Sequence, residues 1–226
     1  MPLTRVLEPE IMDSEEEARD YDAMDHFEVN ARFCEDLLAL SPEVACTLDV
    51  GAGTARIPIE LCRKDRHARV VAIDLAASMV RFGRRNVEHA GLSGVISVEL
   101  VDAKGLPFAD AAFRCVISNS ILHHIPEPHA VLAEMLRVLA PGGVLFVRDL
   151  VRPDHNASVD DLVNHYGGGA TPSQRALFAA SLRAAFTLAE MREHARTLGL
   201  PLETVQVTSD RHWTLACQRK MIENHG

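Results

Sequence analysis

The 226-residue chain carries 32 acidic against 23 basic side chains, a formal net charge of -9, and 47% of its residues are hydrophobic. A chain of this length and apolar content supports a single compact domain with its own core, over residues 1–226. The acidic balance disfavours nucleic acid as the main partner, because binding to phosphates needs a basic face.

The cysteines and the hydropathy pattern predict the cellular compartment of the protein. The five cysteines form no Cys-x-x-Cys pair and lie mostly in apolar stretches, which predicts free thiols in a reducing compartment. No apolar run approaches ~20 residues, and the chain does not open on a basic and then apolar leader. We therefore expect a cytoplasmic protein without a membrane span.

The first 42 residues predict an irregular lead-in followed by one or two helices. Ser14 and Glu17 have the spacing of a capping box, so a helix is expected to begin there. The helical pattern continues to Leu40, and Ser41-Pro42 ends it.

Strands and helices alternate over the next hundred residues. Apolar runs predict strands over 44–50, 69–74, 95–101, 113–118 and 143–150. The helices between them are predicted over 54–65, 76–90 and 127–140. Pro141-Gly142-Gly143 is expected to end the last helix and open the fifth strand. Such an alternation of apolar strands with helices is typical of a parallel sheet covered on both faces.

The segment 152–186 is predicted as a helical insertion. Two short helices, over 157–166 and 173–185, flank the glycine triplet Gly167-Gly168-Gly169. The glycines predict a hinge or an open turn between the two helices.

Residues 187–226 are predicted as a C-terminal helix and a hairpin. Thr187 and Glu190 form a second capping box, and the helix is expected to end before Gly199. Strands over 203–208 and 212–219 are joined by only three residues, and so short a connection forces them to be antiparallel.

The most informative residues follow the first two predicted strands. Asp49, Gly51 and Gly53 come where the first strand ends, and glycines there let the chain turn sharply and let a ligand press against bare backbone. Asp74 closes the second strand, 23 residues after Gly51, and could accept both hydroxyls of a ribose. Together they predict a pocket for a nucleoside cofactor.

The spacing also discriminates between nucleosides. The dinucleotide fingerprint G-x-G-x-x-G needs a small residue where this chain has Arg56, and the small residue is Ala55 instead. Asp49 would repel a diphosphate but suits a ligand with an ammonium group. Both observations count against NAD(P).

Residues 44–150 resemble the class I S-adenosylmethionine-dependent methyltransferases. The matching phrases, in chain order, are Leu48-Asp49-Val50-Gly51-Ala52-Gly53-Thr54-Ala55, Val71-Ala72-Ile73-Asp74, Val101-Asp102-Ala103, the run from Cys115 to His124, and Leu136-Arg137-Val138-Leu139-Ala140-Pro141-Gly142-Gly143. Within that family the sequence is most similar to the small-molecule group typified by quinone-biosynthesis methyltransferases. The region of Tyr21 to His26, which includes Asp25, resembles the lid over the methionine end of the cofactor.

The resemblance implies a fold and a reaction. The fold is a three-layer, Rossmann-like α/β arrangement with a seven-stranded, mostly parallel sheet, one antiparallel strand and an N-terminal helical lid. The lid spans 1–42, the cofactor-binding core 43–151, the insertion that would roof the acceptor pocket 152–186, and the C-terminal helix and hairpin 187–226. S-adenosylmethionine would donate its methyl group to a small-molecule acceptor and leave as S-adenosylhomocysteine.

The resemblance also implies which residues contact the cofactor. They are Tyr21, Asp49, Gly51, Ala52, Gly53, Asp74, Leu75, Met79, Asp102, Ala103, Asn119 and His124. The acidic residue of the second matching motif, Asp74, would bind the ribose. The acidic residue of the third, Asp102, would accept a hydrogen bond from the adenine amino group. Alternatively, Asp102 only caps a loop.

Acceptor-side residues are expected after the later strands, because ligands of open parallel sheets lie at the carboxyl ends of the strands. The catalytic candidates are His123, Asp149 and His212, with the turn from Asp210 to Trp213 beside them. The sequence leaves open whether a histidine acts as a base, and whether the turn residues are functional. His123, His124 and His129 lack a carboxylate partner at regular spacing, so no metal site is predicted.

Two further classes of function stay open. One is another nucleoside enzyme of this fold, using NAD or a modified S-adenosylmethionine, for which Arg56 or Arg148 could supply a cation. The other is a non-catalytic cofactor-binding regulator. The acceptor atom and the choice between monomer and homodimer are not readable from the sequence.

Overall fold

The computed structural model describes residues 3–8, 13–24 and 26–219. Asp25 and part of the predicted lead-in lie outside the described residues. The helices are α1 (Glu15–Asp22), α2 (Phe27–Leu38), α3 (Arg56–Lys64), α4 (Ala77–His89), α5 (His129–Val138), α6 (Asn156–Tyr166), α7 (Pro172–Ala184) and α8 (Leu188–Thr197). The strands are β1 (Thr47–Val50), β2 (Val70–Asp74), β3 (Ile96–Leu100), β4 (Phe113–Asn119), β5 (Leu139–Leu150), β6 (Val205–Val207) and β7 (His212–Gln218).

The strands form one seven-stranded sheet in the order β3-β2-β1-β4-β5-β7-β6. β1 lies parallel between β2 and β4, and β2 is parallel to β3. β6 pairs antiparallel with β7, with Val205 opposite Leu215. This confirms the predicted fold class, a mostly parallel α/β sheet with an antiparallel hairpin at its end. No described helix is long and apolar enough to cross a bilayer.

Both predicted capping boxes are confirmed. The hydroxyl of Ser14 accepts from the backbone N–H of Glu17 at 3.1 Å, and the Glu17 carboxylate accepts from the N–H of Ser14 at 3.1 Å. Thr187 and Glu190 make the same reciprocal pair at 3.2 and 2.8 Å. The caps satisfy N–H groups that a helix N-terminus otherwise leaves unpaired, which is why a local sequence pattern locates them correctly.

The start of β5 differs from the prediction. The strand begins at Leu139 and runs through Pro141-Gly142-Gly143, which was expected to end the preceding helix and open the strand at 143. The N–H of Gly142 donates to the carbonyl of Arg219 at 2.7 Å, and Arg219 donates to Gly143 at 2.8 Å. A Cβ on Gly143 would lie 2.7 Å from the carbonyl oxygen of Arg114, so glycine is needed there for close packing rather than for a turn.

The chain forms two compact units, each with a core of its own. Of the described residues, the first comprises 13–24, 26–119, 130–147 and 216–219, and its core includes Phe33, whose ring meets Phe146 edge to face at 5.0 Å. The second comprises 3–8, 120–129 and 148–215, and its core includes Val159, Leu182 and Ala185.

Within the first unit, α4 approaches the loop after β1 closely at Gly83. A Cβ there would lie 3.2 Å from Val98, 3.3 Å from the carbonyl oxygen of Gly53 and 3.4 Å from Ala55. We expect Gly83→Val to destabilise the protein by about 2 kcal/mol, because a larger side chain overpacks this contact. Thermal unfolding measures the change. Gly94, around which a Cβ would meet nothing within 4 Å, provides the control Gly94→Ala, which should unfold near the wild-type temperature.

Candidate functional site

The loop after β1 has the backbone of a ligand-binding turn. Gly51 and Gly53 adopt φ of +73° and +54°, in the left-handed region that glycine enters without steric cost. Ala55 follows at φ +61°, where an L-residue is strained by about 1 kcal/mol. The backbone N–H groups of Gly51 and Ala52 both donate to the carbonyl of Ile73 at 2.9 Å, which fixes the loop against β2.

This loop borders a pocket in the first unit, which we call the glycine-loop pocket. Residues predicted from the sequence that line it are Tyr21, Asp49, Gly51, Ala52 and Asn119. Lining residues that were not predicted as cofactor contacts are His26, Asn30, Thr54, Arg56 and Ile57. The first helices and the ends of β1 and β4 therefore meet at one pocket.

Asp49 is the most unusual group of the pocket. It is 2% exposed, and its Oδ2 has no hydrogen-bond partner among the described residues. Burial, together with the nearby charge of Asp74, raises the pKa of Asp49 to about 8. A buried carboxylate without a partner is costly, so the site favours a ligand that brings a positive charge or a donor to it.

Two further buried polar atoms on the pocket wall point to the same conclusion. Within the described chain, Oγ1 of Thr54 and Oδ1 of Asn119 have no hydrogen-bond partner. Buried polar atoms are nearly always paired, and groups left unpaired in one pocket are typical of a binding site without its ligand.

Asp74 is held differently. One oxygen accepts from the N–H of Gly53 at 2.8 Å and the other from the N–H of Ala76 at 2.9 Å. Burial raises the pKa of Asp74, and these backbone donors act against that rise. The backbone N–H of Leu75 also acts on this carboxylate, which has about four acceptor positions in all, so some acceptor capacity is left for a ligand hydroxyl. Asp49 and Asp74 together fit a cation-bearing ligand with paired hydroxyls, and a diphosphate would add repulsion.

A polar network joins α1 to the glycine loop. Arg56 donates to the carboxylate of Asp22 at 3.0 Å, and Asn86 donates to the same oxygen at 2.7 Å and to the carbonyl of Thr54 at 3.0 Å. Next to Asp22, the ring of Tyr21 faces Gly53, where a Cβ would lie 3.4 Å away. Burial raises the pKa of Tyr21 to about 12, so the phenol is neutral and can donate a hydrogen bond.

The other predicted cofactor contacts of the first unit are not among the residues that line this pocket, and their settings differ. Met79 is 6% exposed and packs with Ala18 and Phe82, and Leu75 and Ala103 are half-buried. Asp102 is exposed and accepts from the N–H of Lys104 at 2.9 Å, as a loop-capping acid does. Adenine binding by Asp102 stays a prediction.

The second unit contains a separate group of polar side chains, Glu8, His123, His124 and Asp149, which we call the histidine–carboxylate cluster. Nδ1 of His123 donates to Asp149 at 2.6 Å, and both side chains are nearly inaccessible to solvent. The Asp149 carboxylate also accepts from the N–H groups of His123 at 3.1 Å and Leu150 at 2.6 Å. Because the carboxylate only accepts, the proton stands on Nδ1 and Nε2 is the free nitrogen of the ring.

The charges of this pair stabilise each other. Burial lowers the pKa of His123, but the charge and hydrogen bond of Asp149, together with the charge of Glu8, make the net shift upward. Burial raises the pKa of Asp149, and the positive charge and hydrogen bond of His123 reverse it, so that the net shift is downward. The pair therefore resembles the base-and-orienter arrangement of general acid–base catalysis.

The N-terminal segment contributes Glu8, which belongs to this cluster, and Arg5, which binds the backbone beside it. Arg5 donates to the backbone carbonyls of Ala184 at 2.6 Å, Pro126 at 3.0 Å, Ile125 at 3.0 Å and His123 at 3.1 Å. Three positions later, Glu8 brings Oε2 to 3.9 Å from Nε2 of His123 and 3.5 Å from Nδ1 of His124. No sequence signal marks Arg5 or Glu8, because the lead-in has no periodicity and its contacts lie more than a hundred residues away.

His212, the third catalytic candidate, has a different environment. Its Nδ1 lies 2.9 Å from the hydroxyl of Ser209, and burial together with Arg211 lowers its pKa to about 4. At neutral pH the imidazole is uncharged and a weak base. In the adjoining turn, Asp210 accepts from Tyr166 at 2.6 Å and Arg211 stacks on the Tyr166 ring, so these turn residues join the hairpin to α6.

Comparisons with known proteins agree with this architecture. Residues 48–147 match the model of the family described as Methyltransferase domain. The Ubiquinone/menaquinone biosynthesis C-methyltransferase UbiE of Pseudomonas aeruginosa is 36% identical over 110 residues, which are 48% of this chain and 43% of that protein. The alignment thus spans less than half the length of that relative.

Two solved structures share the fold. A SAM-dependent methyltransferase from Aquifex aeolicus superposes with a TM-score of 0.64 at 17% identity, covering 91% of this chain and 98% of the other. A second structure, from Methanococcus maripaludis and described as a putative S-adenosyl-L-methionine-dependent methyltransferase, gives a TM-score of 0.70 at 13% identity, covering 98% and 100%. At these identities the likeness concerns the fold alone.

Proposed function

We propose that this protein, whose residues 48–147 match the family described as Methyltransferase domain, is a class I S-adenosylmethionine-dependent methyltransferase that methylates a small-molecule acceptor. The observation that carries the proposal is Asp49, a buried acid with an unpartnered oxygen beside a glycine turn. An amino-acid ammonium group in the pocket gives that oxygen its missing donor. S-adenosylmethionine supplies both this group and a sulfonium methyl that a nucleophile displaces in line.

The residues of the glycine-loop pocket divide the work of binding. Asp49 faces the ammonium group, Asp74 offers its remaining acceptor capacity to the ribose, and the bare backbone at Gly51 and Gly53 admits close approach. Tyr21 and the α1 network cover the pocket from the N-terminal side. Their contribution is alignment and exclusion of water, since the methyl group is already activated.

The acceptor we propose is a phenol or enol methylated on carbon or on its oxygen. The name of the Pseudomonas relative specifies a C-methyltransferase of quinone biosynthesis. Carbon next to a hydroxyl becomes a good nucleophile when that hydroxyl loses its proton, so such an acceptor needs a base. His123, with Nδ1 held by Asp149, presents Nε2 as that base. His212 is the weaker candidate, because its pKa of about 4 makes it a poor proton acceptor.

The two alternatives are less well supported. NAD brings no ammonium group to the buried Asp49, so Oδ2 of Asp49 would keep no partner. A modified, carboxylated cofactor would need a cation, but Arg56 is paired with Asp22 and Arg148 donates to Thr214 at 2.9 Å. The five free cysteines agree with the expected reducing, cytoplasmic location. The oligomeric state stays open.

Calorimetric titration and a turnover assay test this proposal. We expect S-adenosylhomocysteine to bind the glycine-loop pocket stoichiometrically and NAD not to bind at comparable concentration. Labelled S-adenosylmethionine with a panel of phenols, enols and reduced quinones should give a methylated product. Binding of NAD in preference would overturn the cofactor assignment, and tight S-adenosylhomocysteine binding without turnover across the panel would support a regulator instead.

Binding should also depend on pH through Asp49. Its pKa of about 8 means that the carboxyl is protonated below pH 8 in the free protein, and a cationic ligand favours the ionised form. Binding therefore releases a proton, and affinity should rise by up to about tenfold per pH unit between pH 6 and 8 and then level off. Calorimetry in buffers with different ionisation enthalpies measures this proton release. A flat affinity profile would contradict the assignment.

A further inference from the structure

We propose that Glu8, His123 and His124 form a binding site for one divalent transition-metal ion of the zinc class. One ligand atom from each of the three residues lies within 4.8 Å of the other two. Among the described residues, this is the group of His, Cys, Asp or Glu side chains that lie close enough together to hold a metal ion. Two imidazoles and one carboxylate are the protein ligands of a three-ligand zinc site. This inference concerns the second unit and does not depend on methyl transfer.

The separations suit an ion better than direct hydrogen bonds. Oε2 of Glu8 lies 3.9 Å from Nε2 of His123 and 3.5 Å from Nδ1 of His124. Ligands about 2.1 Å from a tetrahedral ion are about 3.4 Å apart, so small movements of the three side chains close the set around one atom. A donor set of two nitrogens and one oxygen favours Zn²⁺, Co²⁺ or Ni²⁺ over Mg²⁺ or Ca²⁺, which prefer oxygen ligands throughout.

The groups behind the ligands are those that a metal site requires. Asp149 holds Nδ1 of His123 at 2.6 Å, which keeps the proton on that nitrogen and turns the lone pair of Nε2 towards Glu8. Carboxylate–histidine pairs of this kind orient metal ligands in many sites. Glu8 is held in turn by the hydroxyl of Ser181, at 3.1 Å from Oε2.

The N-terminal segment is fixed before any ion arrives. Arg5 donates to four carbonyls, stacks 3.7 Å above the ring of Phe186, and is followed by Val6, whose N–H donates to Arg183 at 3.1 Å. Glu8 therefore reaches the histidines from an anchored segment, and a cation there would balance the charge of its half-buried carboxylate. The sequence has no carboxylate at regular spacing from the histidines, and in the structure Glu8 of this segment supplies one.

An ion at this position has a consequence for catalysis. It takes Nε2 of His123, the nitrogen that we propose as proton acceptor, so metal binding and proton acceptance exclude each other. With three protein ligands, a fourth position of a tetrahedral ion stays open to water or to an oxygen of a small molecule.

Titration of the metal-free protein with Co²⁺ tests the site, because a four-coordinate cobalt site has intense visible d–d absorption. We expect one Co²⁺ per chain, displaced by Zn²⁺, and a higher unfolding temperature in the presence of Zn²⁺. Glu8→Gln and His124→Ala should lose this stoichiometric binding, and Asp149→Asn should weaken it by about tenfold or more. His129→Ala is the matched control, since Nδ1 of His129 instead lies 3.4 Å from the Thr197 hydroxyl, and it should bind as the wild type does.

Three results would overturn the inference: no stoichiometric binding by the wild type, equal binding by Glu8→Gln and wild type, or a sulfur-to-cobalt charge-transfer band that places the ion on cysteine. A parallel titration with S-adenosylhomocysteine separates the two proposals. If cobalt does not bind but S-adenosylhomocysteine does, only the metal-site proposal fails. If S-adenosylhomocysteine does not bind but cobalt does, only the proposed function fails.

Discussion

Asp49→Asn should weaken S-adenosylhomocysteine binding by about 100-fold, because the variant keeps the shape of the side chain but loses the charge that faces the ammonium group. The same change should stabilise the free protein. Asp49 is buried without a partner on Oδ2, and its pKa rises from 3.8 to about 8 on folding. A raised carboxyl pKa means that ionisation opposes folding at every pH above the unfolded value, increasingly up to about pH 8.

The opposite signs of the two effects make the experiment specific. Thermal unfolding should show a higher midpoint for Asp49→Asn than for wild type, with a larger gain at pH 9 than at pH 5, while calorimetry shows the loss of affinity. Asp20→Asn removes a carboxylate from the exposed face of α1 and should change neither quantity. Unchanged affinity in Asp49→Asn would sink the assignment of the ammonium site, and an unfolding midpoint below wild type would contradict the electrostatic account.

His123→Gln should lower the turnover number by about 1000-fold while leaving S-adenosylhomocysteine affinity within about twofold, because a positioned base contributes about 100- to 10,000-fold to rate. Glutamine keeps a polar side chain beside Asp149 but cannot accept the acceptor's proton. The assay uses the acceptor with the highest turnover in the panel and contains a chelator, so that metal binding at Nε2 does not contribute.

Two comparisons separate chemistry from structure in this experiment. Asp149→Asn should also lower turnover, since the amide no longer fixes the proton on Nδ1, whereas His129→Gln in the same unit should turn over normally. The pH–rate profile of His123→Gln should lose the limb that belongs to the base. Full turnover in His123→Gln, or an equal loss of cofactor binding, would contradict the role as acceptor-side base.

Local and periodic features made much of the fold predictable. The alternation of apolar strands with helices, the capping boxes at Ser14 and Thr187, and the short hairpin connection each depend on neighbouring residues, and the structure has them within a few residues of the predicted bounds. The departure at Pro141-Gly142-Gly143 has a non-local cause, since the carbonyl and N–H of Arg219 pair this segment as a strand.

The candidate site was predictable where the chain order itself brings residues together. Asp49 and Gly51 line the glycine-loop pocket at the end of β1. Asp74 ends the adjacent parallel strand and accepts from the N–H of Gly53 in the same loop, so the motif spacing suffices to bring these residues together. Asn30 of α2 also lines the pocket, and nothing in the sequence indicated this. A side chain from a helix far along the chain carries no spacing signal.

By itself, the amino-acid sequence determined the mostly parallel sheet, the glycine turn and the place of Asp49 and Asp74 at the ends of two adjacent strands, because these follow from hydrophobic periodicity and from the backbone freedom of glycine. Only the tertiary structure decided that an oxygen of Asp49 lacks a partner, that Asp149 orients His123, and that Glu8 meets two histidines more than a hundred residues away. Burial, charge coupling and ligand geometry are properties of distances in space, and no pattern along the chain encodes them.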